Sequence, residues 1–366
     1  MSANGKVSSK PSIESRPPCT IRTMHLTPPP SAAALDTRPR TAVMLQWVGM
    51  GDLVWHLPYF RRVAQASHGG QVSLIASPTT FAAQLAGHEP WVREIIDFDR
   101  HPRRHEGRQG RHRGVVGLWR MGRELREQDF DRIVLFTNHS NRSLVAVFAE
   151  IPERLGYGTS WLQRRLLSHG PWIKRYRGPA VTAWKDASAF SIAHGWCDAP
   201  IVPSLIVRPE ALERVRARVQ GLPQPLHAVS IGSSEPYKQW GADNFVALIT
   251  LIARAGHGVV LVGGPAEGEM AQAIHARIEP ALRPSVKVMT DGAVSDTVAL
   301  MSLVQTCISN DTGAAQIAAA VGTQTWVLLG PRPPLEHDPE TLHMITAPRL
   351  LDIRPSDVAL HALSKS

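Results

Sequence analysis

Ser309-Asn310-Asp311-Thr312-Gly313 decides the fold because of what flanks it. Before it runs the apolar Val304-Gln305-Thr306-Cys307-Ile308. After it come the small residues Ala314 to Val321 and a second strand-like run, Thr325-Trp326-Val327-Leu328-Leu329-Gly330-Pro331. A strand, a polar turn and a helix bring free backbone N–H groups and the positive end of a helix dipole to one point. Such a turn suits a phosphate or a polar sugar near Asp311. A plain helix cap by Asp311 or Thr312 is the simpler use of the same residues.

Working outward, the same alternation repeats upstream. The pattern predicts helices over 210–219, 244–255, 267–278 and 294–304, interleaved with strands over 228–231, 259–264 and 286–289. Residues 200–209 read as an extended connector, and 158–200, rich in Trp, Pro and Arg, as irregular. The first half alternates again. Strands are expected over 41–47, 72–76, 92–98, 132–136 and 154–157, with helices over 53–65, 79–86, 116–127 and 144–149. Arg100 to Arg113, dense in Arg, His and Gly, reads as an exposed, mobile loop. Strands alternating with helices, twice over, give an α/β fold of two doubly wound, Rossmann-like domains with parallel sheets. Ligands in such folds bind at the carboxyl ends of strands, facing the central cleft. The expected boundaries are a disordered basic tail over 1–40, domains over 41–200 and 201–345, and a tail or helix over 346–366.

The 366 residues suffice for two cores, and 43% hydrophobic with 19% charged residues is the balance of a soluble globular protein. A net charge of +9 points to an acidic partner: nucleic acid, an anionic membrane surface or a phosphorylated substrate. Cys19, Cys197 and Cys307 are far apart, which argues for a reducing cytosol and against a disulfide framework or zinc site. No apolar run approaches the ~20 residues of a spanning helix, and no secretory leader is expected.

Three further turns sit at strand ends. Gly49-Met50-Gly51-Asp52 lacks the third glycine of a dinucleotide fingerprint, so a dehydrogenase is disfavoured. Asp52 either caps the following helix or takes a proton from an acceptor hydroxyl. Ser233 and Ser234, with Lys238 and Trp240, offer hydroxyls and a compact positive charge for phosphate oxygens, or form an ordinary polar loop. In Gly263-Gly264-Pro265-Ala266-Glu267, Glu267 suits the first helical turn or a ribose hydroxyl. The sixteen histidines form no cluster at metal-ligand spacing, so neither a catalytic metal nor a cofactor is expected.

With these four motifs in this order, the chain resembles glycosyltransferase family nine, the lipopolysaccharide heptosyltransferases, over about residues 41–345. Asn138-His139-Ser140-Asn141-Arg142-Ser143 and Ile151 to Tyr157 look closer to the second heptosyltransferase type than the first. The resemblance implies a GT-B fold and inverting, metal-independent transfer from a nucleotide sugar, typically ADP-heptose, to a lipid-linked core oligosaccharide. It makes Asp52 the base, and gives Ser233, Ser234 and Lys238 the diphosphate. Lys238 also offsets charge on the leaving group. Glu267 becomes a nucleoside contact, and Asp311, Thr312 and Gly313 the turn holding sugar and phosphates. Family members usually carry a histidine where this chain has Gln316. Glutamine can donate a hydrogen bond but never be positive. That departure implies altered donor choice, weaker phosphate contact or lost activity; with Lys238 retained, an active enzyme is expected.

On the acceptor side the candidates are Gly51, Asn138, Arg142, Arg61 and Arg62. Arg61, Arg62 and Arg142, with Arg103, Arg104, Arg108, Arg111 and Arg113 of the basic loop, are suited to acceptor carboxylates, lipid phosphates or the anionic inner face of the inner membrane, with the protein cytoplasmic or peripheral there. A solvated loop without a partner is the alternative for 100–113. The alternatives are a homologue that binds a nucleotide sugar without transferring it, and a nucleic-acid-binding protein. Against nucleic acid, no aromatics interleave with the basic run and no known module is visible.

Overall fold

The structure is a computed structural model that describes residues 36–364, apart from 104, 105, 234, 336 and 337. Residues 1–35 of the expected tail, and Ser234, lie outside the described residues. Arg40, at the tail's end, is anchored: its N–H donates to Asp131 Oδ2 at 2.8 Å and its guanidinium to the Gln128 carbonyl at 2.9 Å.

The first half runs β1 (Thr41–Leu45), α1 (Met50–Gln65), β2 (Val72–Ala76), α2 (Ala82–Leu85), β3 (Val92–Asp97), α3 (Gly114–Arg126), β4 (Arg132–Phe136), α4 (Ser140–Phe148), β5 (Glu153–Gly156), α5 (Trp161–Leu166) and α6 (Thr182–Ala193). Its five strands are parallel in the order β3-β2-β1-β4-β5. The second half runs α7 (Pro209–Val219), β6 (Leu226–Ser230), α8 (Ala242–Arg254), β7 (Gly258–Val262), α9 (Gly268–Arg277), β8 (Val286–Met289), α10 (Val294–Met301), β9 (Thr306–Asn310), α11 (Gly313–Ala320), β10 (Gln324–Leu328), β11 (Leu342–Ile345) and α12 (Pro355–Leu363). Its six strands are parallel in the order β11-β10-β9-β6-β7-β8.

Both orders are doubly wound. The direction of winding reverses between β1 and β4 in one sheet and between β6 and β9 in the other. The polar turns after these four strands therefore open at the two switch points, where such sheets bind ligands. Central strands buried on both faces explain the unbroken apolar runs; all of Thr41–Leu45 and Gly258–Val262 are buried. Val43, Leu45, Val134 and Phe136 pack with α1 and α6, while Ala42, Met44, Ile133 and Leu135 face α3 and α4. The first of these clusters continues into Ala228, Val260, Cys307 and Ile317 of the second half, so apolar packing joins the lobes, and the described residues from Thr37 onward form one unit.

Several elements differ from the sequence reading. The region 158–200 is not irregular throughout: α5 and α6 lie in it. Helix α6 is buried at Ala183, Trp184, Asp186, Ala187, Ser188, Phe190 and Ser191, so polar and apolar residues are enclosed together and no amphipathic period shows. It packs on α1 through a 2.6 Å hydrogen bond between Tyr59 and Ser188 hydroxyls. The helix over 79–86 is a 3-10 turn, Pro78–Thr80, followed by a single α-helical turn, with Phe81 left-handed between them. Helix α4 begins at Ser140, not 144, so Arg142 is helical.

The 100–113 loop is not simply exposed. His112 is buried, its ring accepting the Asp99 N–H at 3.0 Å, and Arg111 pairs with Glu124. Arg104 lies outside the described residues. Beyond 345, Leu350, Ile353, Val358, Ala359 and Ala362 pack into the same cluster as Phe245 and Leu248 of α8, and the Trp240 indole donates to the Ile353 carbonyl at 3.0 Å.

Candidate active site

Two helix N-termini meet where the lobes face each other. A Cβ on Gly51 would lie 2.9 Å from Gln316 Cγ, and one on Gly313 would lie 2.9 Å from Met50 Cβ and 3.2 Å from the Gly51 nitrogen. Only glycine at both positions lets α1 and α11 approach this closely. The first turns of the two helices are thereby brought to one point, with the positive ends of both dipoles.

Asp52 stands in the first turn of α1, where its Oδ2 accepts the Gly49 N–H at 3.2 Å. Burial pushes its carboxyl up from 3.8 to about 6; the Gly49 hydrogen bond opposes this, the Asp311 charge adds to it and Lys238 opposes it. A carboxylate of that basicity is still ionised at neutral pH and is well matched to general-base work. Beneath it His56 is buried and neutral, its pKa lowered to about 4 by burial, with Nδ1 hydrogen-bonded to the Asp52 carbonyl at 2.6 Å. That bond fixes the first turn on which Asp52 stands.

Across from Asp52, Thr312 occupies the N-cap position of α11 without a side-chain capping bond. Asp311 receives two cations: Lys238 Nζ lies 3.5 Å from its Oδ2, and Arg332 donates to the same oxygen. Lys238 is also 3.0 Å from Glu235. Burial works to lower the Lys238 pKa, but the Glu235 hydrogen bond and the Asp311 charge prevail and raise it. Arg332 further donates Nε to the Leu329 carbonyl at 3.2 Å, and its buried Nη2 has no partner among the described residues.

Asn310 sets this geometry. Its amide nitrogen donates to the Ile231 and Gly232 carbonyls, both at 3.1 Å, and its oxygen accepts the Trp240 N–H at 3.3 Å. The loop after β6, carrying Lys238, is thus tied to the turn after β9. Within that loop the Ser233 hydroxyl bonds to its own loop, donating to the Glu235 carbonyl at 2.7 Å. Glu267 caps its own turn, accepting the Gly264 N–H at 2.7 Å, beside Gly232.

Gln316 is buried and faces the other lobe. The Trp55 indole N–H donates to Gln316 Oε1 at 2.9 Å, leaving the Gln316 amide nitrogen without a partner among the described residues. Indole is only a donor, so the amide orientation follows from chemistry. Gln316 therefore bonds α11 to α1.

At the other switch point, Asn138 donates to Asp186 Oδ2 at 2.9 Å and its N–H to Gln46 at 2.8 Å. Arg142 is 6% exposed, yet its Nε and Nη1 lack partners among the described residues. Its guanidinium lies 4.7 Å over the Phe98 ring, and burial, then the Arg100 charge, lower its pKa to about 10. Burial first, then Arg142, Arg175 and Arg100, also lower His139. An uncompensated guanidinium this deep is costly, and an anion would relieve it.

Asp52, Lys238, Asp311, Thr312, Gly313, Gln316 and Gly51 thus converge, with Ser233 and Glu267 on the adjoining loops. Asn138 and Arg142 line the same carboxyl edge of the first sheet. Arg61 and Arg62 do not join them: at 1.5 Å per residue they stand about 14 Å along α1 from Asp52, toward its far end. Sequence reasoning missed Arg332, Trp55, Asn310, His56 and Arg100. Arg332 follows directly on the strand-end run closing at Pro331, so the strand-end rule itself would have reached it one residue on.

Residues 118–345 match the family model for glycosyltransferase family 9 (heptosyltransferase). Over 244 residues the chain is 25% identical to lipopolysaccharide heptosyltransferase 2 of Salmonella typhimurium, covering 62% of this chain and 69% of that one. In structure it is similar to the Escherichia coli ADP-heptose heptosyltransferase II (TM-score 0.69, 20% identity), covering 87% of this chain and 96% of that one. It is also similar to the E. coli heptosyltransferase WaaC solved with ADP-2-deoxy-2-fluoro heptose (TM-score 0.66, 15% identity), covering 88% and 98%. These likenesses identify the two-lobed architecture as the GT-B fold.

Proposed function

The chain belongs to glycosyltransferase family 9, the heptosyltransferases, and from that premise we propose how its cleft works. The enzyme moves a heptose from ADP-heptose to the core oligosaccharide of a lipopolysaccharide, by inverting displacement and without a metal. The observation that carries this reading is the meeting of Asp52 with the Asp311–Gly313 turn, flanked by Lys238 and Arg332.

In this mechanism the acceptor hydroxyl gives its proton to Asp52 as its oxygen attacks the anomeric carbon. The bond from that carbon to the donor phosphate breaks, and ADP leaves with the electron pair. Lys238, the Arg332 guanidinium and the first N–H groups of α11 take up the charge on the departing diphosphate. Gln316 is neutral and engaged with Trp55, so the positive charge of this pocket comes from Lys238 and Arg332. Glu267 borders the nucleoside and Ser233 the diphosphate, and Arg142, Arg100 and Asn138 meet an anionic group of the acceptor. Residues 41–200 then serve as the acceptor domain and 201–345 as the donor domain. No described helix is long and apolar enough to cross a membrane; the enzyme acts from the cytoplasm at the inner face of the inner membrane.

A thermal-shift panel of ADP-, GDP-, UDP- and dTDP-sugars tests the donor. ADP-heptose should raise the melting temperature most, by mass action, and Lys238→Ala should reduce that rise. A larger shift with another nucleotide sugar would displace ADP-heptose.

A further inference from the structure

The outer helical layer of the first lobe carries a surface that the donor chemistry does not use. Gly122 of α3 admits α4 so closely that a Cβ there would meet Phe148 Cβ at 2.4 Å. At the start of α4, the Ser140 hydroxyl lies 3.2 Å from that of Ser160, the N-cap of α5. The three helices therefore lie side by side, and all begin at the carboxyl edge of the strands.

Large apolar side chains stand out from both flanks of this edge. On α5, Trp161 is 75% and Leu162 44% exposed; on α3, Val115 is 73%, Val116 67% and Trp119 48% exposed. With neighbouring helices 8–10 Å apart, the two groups are separated by roughly 20 Å. Between them lies the α4 terminus with Arg142. Single exposed apolar residues need no explanation, but two tryptophans with apolar neighbours at one edge do.

The charge around them is mostly positive, although Asp97, Asp99 and Glu106 lie near the start of α3. From Arg154 to Lys185 the chain holds no Asp or Glu, and Arg164, Arg165, Lys174, Arg175 and Arg177 are exposed. On α3, Arg113, Arg120 and Arg123 are exposed, with the Arg123 guanidinium 5.2 Å from the Trp119 ring centre. The nearest carboxylate of α3, Glu124, is already paired with Arg111 and His112. Aromatic and aliphatic tips set among arginines are complementary to a negatively charged lipid surface, where indoles settle at headgroup level and guanidiniums meet phosphates.

We propose that the α3–α5 edge docks this protein on an anionic bilayer, with Val115, Val116 and Trp119 at one contact and Trp161 and Leu162 at the other. The cleft beside Arg142 then opens onto the membrane between them. Docking is independent of which sugar the donor carries.

Co-sedimentation with phosphatidylglycerol-containing and pure phosphatidylcholine vesicles tests this directly. The wild type should bind the anionic vesicles, less tightly as salt rises. Trp119→Ser with Trp161→Ser should weaken that binding roughly 10- to 100-fold, and Phe at both positions should restore most of it. Both side chains are exposed, so the thermal melt should not move. Equal vesicle binding by the double serine variant, or no binding of anionic vesicles by the wild type, would overturn the proposal. Transfer to a water-soluble core oligosaccharide should be unchanged in the double variant while transfer to a vesicle-borne acceptor falls. If vesicle binding behaves as expected but no transfer is found at all, docking stands and the catalytic reading fails.

Discussion

Replacing Asp52 by Asn should make the protein more stable and nearly inactive at once. Burial raises this carboxyl from 3.8 to about 6 in the folded state. A group whose folded pKa lies above its unfolded value favours folding fully below the unfolded value, and loses that advantage as pH rises through the folded one. Over this interval, at 1.36 kcal/mol per pH unit, the ionised side chain costs about 3 kcal/mol at pH 8 and about half that at pH 5. Partial solvent access trims the figure to about 2–3 kcal/mol. Asparagine carries no charge and can still accept the Gly49 N–H, so it removes the cost while keeping the turn. Chemical denaturation at pH 5 and pH 8 should show the variant more stable at both, with the larger gap at pH 8. Its transfer rate should fall by about 10²–10⁴, the loss of a general base. The wild-type kcat/KM should drop below a pKa near 6, and that limb should vanish in the variant. A variant less stable than wild type at pH 8, or one that transfers at the wild-type rate, would refute the reasoning.

Two other substitutions follow from the same geometry. Arg332→Gln leaves Asp311 with Lys238 alone; affinity for ADP should fall about 10- to 100-fold while adenosine binding, read by titration calorimetry, stays unchanged. Gly313→Ala forces its Cβ against Met50 and the Gly51 backbone; it should destabilise the inter-lobe contact by about 1–3 kcal/mol, seen as a lower melting temperature together with a raised KM for donor.

The two doubly wound sheets were legible because buried parallel strands are short apolar runs. Val72–Ala76, Arg132–Phe136 and Val286–Met289 stand where the pattern places them. Helix α6 was not, because Asp186 and Ser188 are buried beside Trp184 and Phe190, and enclosure on several sides erases the amphipathic signal. At the site, the strand-end rule reached Asp52, Lys238 and the Asp311 turn. It could not show that Gln316 faces Trp55, a partner 261 residues away in sequence. Nor could it show that Asn310, reading as one more turn residue, ties two loops into one wall. Arg332 was lost for a smaller reason: a charged residue after Gly-Pro looks like solvent-facing loop until Asp311 is seen opposite. The turn after β9 keeps its place at the centre, now as one side of a contact whose other side is α1.

The most direct measurement is the release of ADP from ADP-heptose by the purified protein, with and without a heptose-accepting lipopolysaccharide core. The account predicts release that requires the acceptor, is matched by heptose gained on the core, and is lost in Asp52→Asn. Acceptor-dependent release at the same rate in Asp52→Asn, or tight ADP-heptose binding with no transfer to any core acceptor, would contradict it.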